Sequence, residues 1–118
     1  MRYMMLLKLD PSAAPKEPSP ELMEEMGKLI DEMTRAGVLL DTGGLRPAEE
    51  GTVIRLSGGK QTVVDGPYAE AKEVIGGYCI VQTKSHEQAV EWTQRFLALH
   101  GDEWEISAEI RQVEEPAA

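Results

Sequence analysis

The chain predicts an α+β domain: a mixed layer of strands and two helices, with an extra β-hairpin set into the middle. Three observations lead there. Apolar residues recur with a period of two in some segments and of 3.6 in two others, which separates strands from helices. The segments follow the order β, α, β, hairpin, β, α, β. Two of the strand-like segments, "RYMMLLKL" and "VIGGYCIVQT", are apolar on both faces, as central strands are.

"RYMMLLKL", residues 2–9, alternates Tyr3, Met5, Leu7 and Leu9 on one face with Met4, Leu6 and Lys8 on the other. "DPSAAPKEPSP" follows, and its four prolines in eleven residues forbid a regular hydrogen-bond ladder, so it is a loop. Ser19 caps a helix with Pro20 at its first position, Leu22, Met26, Leu29, Ile30 and Met33 as its buried stripe, and Gly37 as its end.

"VLLDTGGLRP" reads as a strand broken at Gly43 and Gly44, where a bulge or a close backbone approach replaces a smooth ladder. "TVIRLSGGKQTVVD", residues 52–65, reads as a hairpin turning on Gly58 and Gly59, which supply positive φ. "VIGGYCIVQT" places Tyr78 and Ile80 opposite Cys79 and Val81. Ser85 and Gln88 form a capping box for a second helix with Ala89, Val90, Thr93, Phe96 and Leu97 inward. "EISAEIRQV" puts Ile106, Ala108 and Ile110 on one face against Glu105, Ser107, Glu109 and Arg111, which suits an edge strand.

Two βαβ-like halves in this order make a ferredoxin-like sandwich with an inserted β-hairpin, one sheet carrying both helices on one face. Helices cover one face only, yet both central strands are apolar on both. A second subunit related by a two-fold axis covers the other face, so a homodimer is expected.

Bulk properties bound the function. At 118 residues and 13.0 kDa, a single domain spanning 1–118 is expected, large enough to bury a core. Apolar and charged fractions of 42% and 28% exclude a disordered chain. The longest apolar runs are of strand length, so no membrane partner is expected, and "MRYMMLLKLD" is too soon interrupted by charge for a secretory signal; the protein reads as cytoplasmic. A formal charge of −9 with basic residues scattered singly argues against a nucleic-acid partner. One cysteine, Cys79, excludes an internal disulfide, and two histidines leave no cluster of metal-ligand spacing, so no metal and no cofactor are expected.

"DGPYAEAKEVIGGY", residues 65–78, resembles the YCII-related family, in the branch named after its DGPF signature, whose members read close to "DGPFAETKE" followed by two glycines and an aromatic residue. Tyr68 replaces the usual Phe and Ala71 the usual Thr. "GGLRP", the hairpin and "EIRQV" stand in the same order and spacing, so the resemblance spans nearly the whole chain. It implies a dimeric α/β barrel built by pairing ferredoxin-like sheets. Many such proteins are encoded beside extracytoplasmic-function sigma factors, which suggests a sigma-factor-related protein partner. Family members similar to muconolactone isomerases and dehydrochlorinases set a histidine near the start of the first helix against the aspartate of this motif. Here that helix begins "SPELMEEM", without a histidine, so the dyad is not carried over.

The candidate ligand-binding residues are Asp65, Gly66, Pro67, Tyr68 and Glu73. Asp65 admits two readings: a turn former accepting local backbone bonds, or a group presented to a ligand beside a glycine that permits close approach. Glu70 and Lys72 read as a solvated loop; Glu73 retains the motif's acidic position. His86 reads as a surface residue, His100 as a helix-end group four residues before Trp104, and Cys79 as an inert buried thiol. The favoured function is a non-catalytic homodimer that binds a small-molecule ligand or a protein partner. The alternative is a small cofactor-independent lyase or isomerase with Asp65 as acid or base and Tyr68 as hydrogen-bond donor.

Overall fold

Two helices and six strands form in the expected order in a computed structural model that describes residues 1–11, 17–67 and 71–115. They are β1 (Arg2–Leu9), α1 (Pro20–Arg35), β2 (Leu39–Gly44), β3 (Thr52–Ser57), β4 (Lys60–Asp65), β5 (Val74–Gln82), α2 (His86–Ala98) and β6 (Ile106–Gln112), with one 3-10 turn at Ala48–Glu50. Residues 12–16 of the proline-rich loop and 116–118 of the polar tail lie outside the described residues.

Local chemistry sets the helix ends. Ser19 Oγ accepts the Leu22 N–H at 3.1 Å, and the chain leaves α1 through Gly37 at φ +73°. Leu22, Leu29 and Met33 are buried, with Met26 and Ile30 half-buried beside them. In α2, Ser85 Oγ accepts the Gln88 N–H at 3.2 Å, but the Gln88 side chain accepts from the Lys84 N–H at 3.0 Å. The box therefore closes one residue earlier than the expected pattern, which returns to the cap residue itself.

The main sheet has the order β2-β5-β1-β6 with every pair antiparallel. The two strands that are apolar on both faces are the central ones, and β6 is an edge. Tyr3 and Met5 pair with Val81 and Cys79 on the helical side, where they meet Leu29, Met33 and Ala89 in one core. Each such large apolar side chain contributes roughly 1.5–3 kcal/mol when buried. Glu32 of α1 and Arg95 of α2 form a two-pronged ion pair, with Arg95 Nη2 2.8 Å from Glu32 Oε1, and the guanidinium lies 4.9 Å from the centre of the Trp92 ring.

The glycines correct one expectation. β2 is not broken at Gly43 and Gly44; it runs through both, and its irregularity is between Leu39 and Asp41. A further irregularity is in the neighbouring strand. Register jumps from Leu7↔Gly77 to Lys8↔Ile75, leaving Gly76 as the extra residue of a bulge, with Leu9 Cδ1 2.5 Å from where its Cβ would stand. The close approach does involve Gly43: a Cβ on Gly77 would meet the Gly43 carbonyl oxygen at 3.1 Å. The double glycine of β5 thus does two jobs, one residue each.

β3 and β4 pair only with each other, in register from Ser57↔Lys60 at the turn to Thr52↔Asp65 at the base. Gly58 and Gly59 turn the chain at φ +57° and +77°. Ile54, Leu56 and Val63 of this hairpin are 63, 69 and 63% exposed. The chain measures 45 × 44 × 18 Å with a radius of gyration of 16.2 Å, against about 13.5 Å for a compact domain of its length. The slab is one sheet and one helix layer thick, and the hairpin extends it sideways. Among the described residues no helix is long and apolar enough to cross a membrane.

Candidate functional site

The base of the hairpin is built from the backbone outward. Thr52 and Asp65 close the β3–β4 ladder, and the Thr52 hydroxyl donates to Asp65 Oδ1 at 3.4 Å. The turn after Asp65 is made by main chain: the Gly66 N–H donates to the Gly51 carbonyl at 2.8 Å, with Gly66 buried at φ +79°. A Cβ on Gly66 would lie 3.8 Å from Glu49 Cα, an ordinary contact, so the constraint is the positive φ. Arg46 grips the Glu50 carboxylate through two nitrogens, at 3.3 and 3.0 Å, across the 3-10 turn. Leu45 then ties the segment to β5 through its N–H to the Gly76 carbonyl, 2.9 Å. Asp65 is exposed at this rim, and Pro67 is half-buried beside it.

Glu73 belongs to a different cluster. It accepts the Ser107 hydroxyl at 3.2 Å, on the outer side of the sheet where Lys8 is paired with Glu109. The Glu109 carboxylate holds the Lys8 ammonium above its usual range, with Glu73 adding to the same field, and Lys8 in turn holds Glu109 below the usual carboxylate range. Asp65 and Glu73, two of the motif's three acidic residues, therefore have different partners. Tyr68, the fourth expected site residue, and Glu70 lie outside the described residues.

Between these clusters spreads the outer face of the sheet. Met4 and Leu6 stand opposite Ile80 and Tyr78, all half-buried. The Tyr78 hydroxyl reaches Asp41 Oδ2 at 3.5 Å, and its ring covers Gly43. Toward the start of β1 and the end of β6 the face dips into an open groove of about 780 Å³, lined by Met1, Met4, Leu6, Val113, Glu114 and Glu115 among others. A smaller cavity of about 310 Å³ lies between the start of α1 and the end of α2, with Glu21, Glu25, Glu103, His100 and Trp104 around it. Asp65 lines neither.

Both histidines are on the helical layer. His86 meets the Tyr3 ring edge-on at 5.5 Å, and His100 stands between Phe96 at 5.0 Å and Trp104 at 5.5 Å, its Nδ1 3.0 Å from the Phe96 carbonyl. Burial pushes the Cys79 thiol up to about 11, the Thr42 hydroxyl pulling it back somewhat and the Asp41 charge raising it further. Among the described residues no three metal-ligating side chains come together.

The YCII-related domain matches residues 1–106, nearly the whole chain, and that match decides the family. The chain belongs to the YCII-related family. It is also 29% identical over 83 residues to an uncharacterised protein of Rhizobium meliloti (strain 1021), covering 70% of this chain and 67% of that one. Within this YCII-related domain, Thr52 is a site neighbour that reading the motif alone missed. The signal was available: a two-residue turn at Gly58–Gly59 makes paired residue numbers sum to those of Ser57 and Lys60, which places Thr52 opposite Asp65.

Proposed function

We propose that this YCII-related protein is a non-catalytic binding module that works as a homodimer of the DGPF branch, its two sheets stacked into a dimeric α/β barrel. Its ligand is a small molecule held at the rim formed by Asp65, Gly66 and Pro67, with Glu73 as a further contact. The observation that carries the dimer is the outer face: Met4, Leu6, Tyr78 and Ile80 form an apolar patch on central strands, on the side away from both helices. What argues for binding over catalysis is the setting of Asp65. It is exposed and touches a threonine hydroxyl, whereas acid–base chemistry favours a desolvated carboxyl beside a partner base, and both imidazoles are engaged with aromatic rings of the helical layer. A regulatory role beside a sigma factor is compatible with such a module and is part of the same proposal.

Native mass spectrometry of protein purified from its own host tests this. A mass of two 13.0 kDa chains carrying a small-molecule adduct is expected, with Asp65→Asn losing the adduct and keeping the dimer. A monomer at micromolar concentration, or turnover of a lactone abolished by Asp65→Asn, would overturn it.

A further inference from the structure

Among the described residues the hairpin strands pair only with each other. An isolated two-stranded hairpin is at best marginally stable in water. Yet Ile54, Leu56 and Val63 lie on one face of it, Ile54 directly opposite Val63, each more than 60% exposed. Its cations are not on that face: Arg55, opposite Thr62, and Lys60, opposite Ser57, project from the other one. An exposed apolar face of this kind is complementary to another apolar surface. The outer-face groove is such a surface: Met1, Met4, Leu6 and Val113 supply apolar walls, inside a mixed rim of Arg111, Glu114 and Glu115, the last paired with Arg2.

We propose that the β3–β4 hairpin is an arm that clasps a second copy of this chain, seating Ile54, Leu56 and Val63 in the groove of the partner subunit. This rests on the dimer reading above and deepens it. The topology permits the exchange. The arm leaves the sheet where β2 ends and β5 begins, and the groove lies where β1 begins and β6 ends, the diagonally opposite corner. A two-fold axis between the stacked sheets, along the other diagonal, exchanges these corners, so both arms meet both grooves in one isologous interface with strands crossing at a large angle. Area points the same way. Four strands about 4.8 Å apart and six to nine residues long give a flat footprint of roughly 400 Å², about half of the ~800 Å² per partner of a stable interface. The arm adds roughly 200 Å² more by the same spacings. The acidic body and the phosphate repulsion it implies make a nucleic acid the poorer occupant.

The test has two arms. In sedimentation, Leu56→Asp combined with Val63→Asp is expected to weaken self-association by about 100-fold or more, because two carboxylates would have to be buried against an apolar wall. The exposure of both side chains leaves the monomer's melting unchanged. In the second experiment a Leu56→Cys chain and a Val113→Cys chain are mixed, allowed to exchange subunits and mildly oxidised. A covalent dimer in the mixture and in neither protein alone is expected. An unaltered association constant, or no cross-link in a mixture that sediments as dimer, overturns the clasp and leaves the sheet-stacked dimer standing. A wild type that remains monomeric overturns both, and an arm that binds only a different protein or a nucleic acid overturns the clasp.

Discussion

Gly77 lies so close to Gly43 across the β2–β5 ladder that a Cβ at position 77 would stand 3.1 Å from the Gly43 carbonyl oxygen and 3.7 Å from Gly44 Cα. Backbone faces backbone here, so the strands must part to admit even a methyl group. At Gly43 the obstruction is the far end of the Tyr78 ring, which can swing toward solvent. Gly77→Ala is therefore expected to cost about 1–3 kcal/mol, the range for overpacking, and Gly43→Ala less. Urea unfolding of both variants checks the ranking. Equal costs would mean that the ladder yields as readily as the ring.

The turn at the hairpin base makes a second ranking. The Gly66 N–H, not the Asp65 side chain, holds the chain to Gly51, and Gly66 sits at φ +79°. Gly66→Ala is expected to destabilise by about 1–2 kcal/mol, the cost of a left-handed conformation for an L residue. Asp65→Asn and Asp65→Ala are expected to change stability by less than about 0.5 kcal/mol, as exposed substitutions do. An Asp65→Ala protein that melts like Gly66→Ala would show that the carboxylate is the structural element after all.

Much of this was legible because the physics is local. Ser19, Pro20, Gly37 and Ser85 mark helix ends by chemistry confined to one turn, and the double-sided apolarity of β1 and β5 follows from their central position. The turn at Gly58–Gly59 even fixes the partner of Asp65. What sequence patterning left unresolved depends on which chain segments meet. Glycines at 43–44 and 76–77 look alike along the chain; only the sheet order makes 76 the bulge and 77 the crossing point. Asp65 and Glu73 are eight residues apart and read as one site, but Asp65 ends a strand of the hairpin and Glu73 precedes a strand of the main sheet, sending Asp65 to Thr52 and Glu73 to Ser107. Nor does alternation in "TVIRLS" say that the hairpin stands off the sheet.

The ion pair between the helices gives a pH dependence. The Arg95 guanidinium, through its hydrogen bonds first and its charge second, holds the Glu32 carboxyl below its ordinary value of 4.5. A depressed carboxylate stabilises the fold above the unfolded pKa, and that contribution is lost as pH falls through the folded one. Arg95→Met keeps the stem over Trp92 while removing the charge. Its melting temperature is expected to fall slightly below that of the wild type at pH 7, with the gap closing below pH 4.5 and narrowing in high salt. A gap that persists at pH 2 would assign the loss to packing.

The last prediction concerns Cys79, which pairs with Met5 in the core and whose thiol burial pushes up to about 11. The thiolate is the reactive form, so at pH 8 roughly one thiol in a thousand would be ionised in the fold, against roughly one in ten at the ordinary value of 9.0. Burial slows attack further. Labelling with an aromatic disulfide reagent at pH 8 is expected to be slow in the native protein and stoichiometric in denaturant. The linkage runs in the alkaline direction. The unfolded chain releases this proton near 9.0 and the folded one near 11, so the neutral thiol stabilises the fold below 9 and that contribution is lost between 9 and 11. Melting should fall with pH across that window more steeply for the wild type than for Cys79→Ala, which carries no titrating group there. Fast native labelling, or parallel melting curves for the two proteins, would show that the thiol reaches solvent and that β5 opens at the position where it pairs with β1.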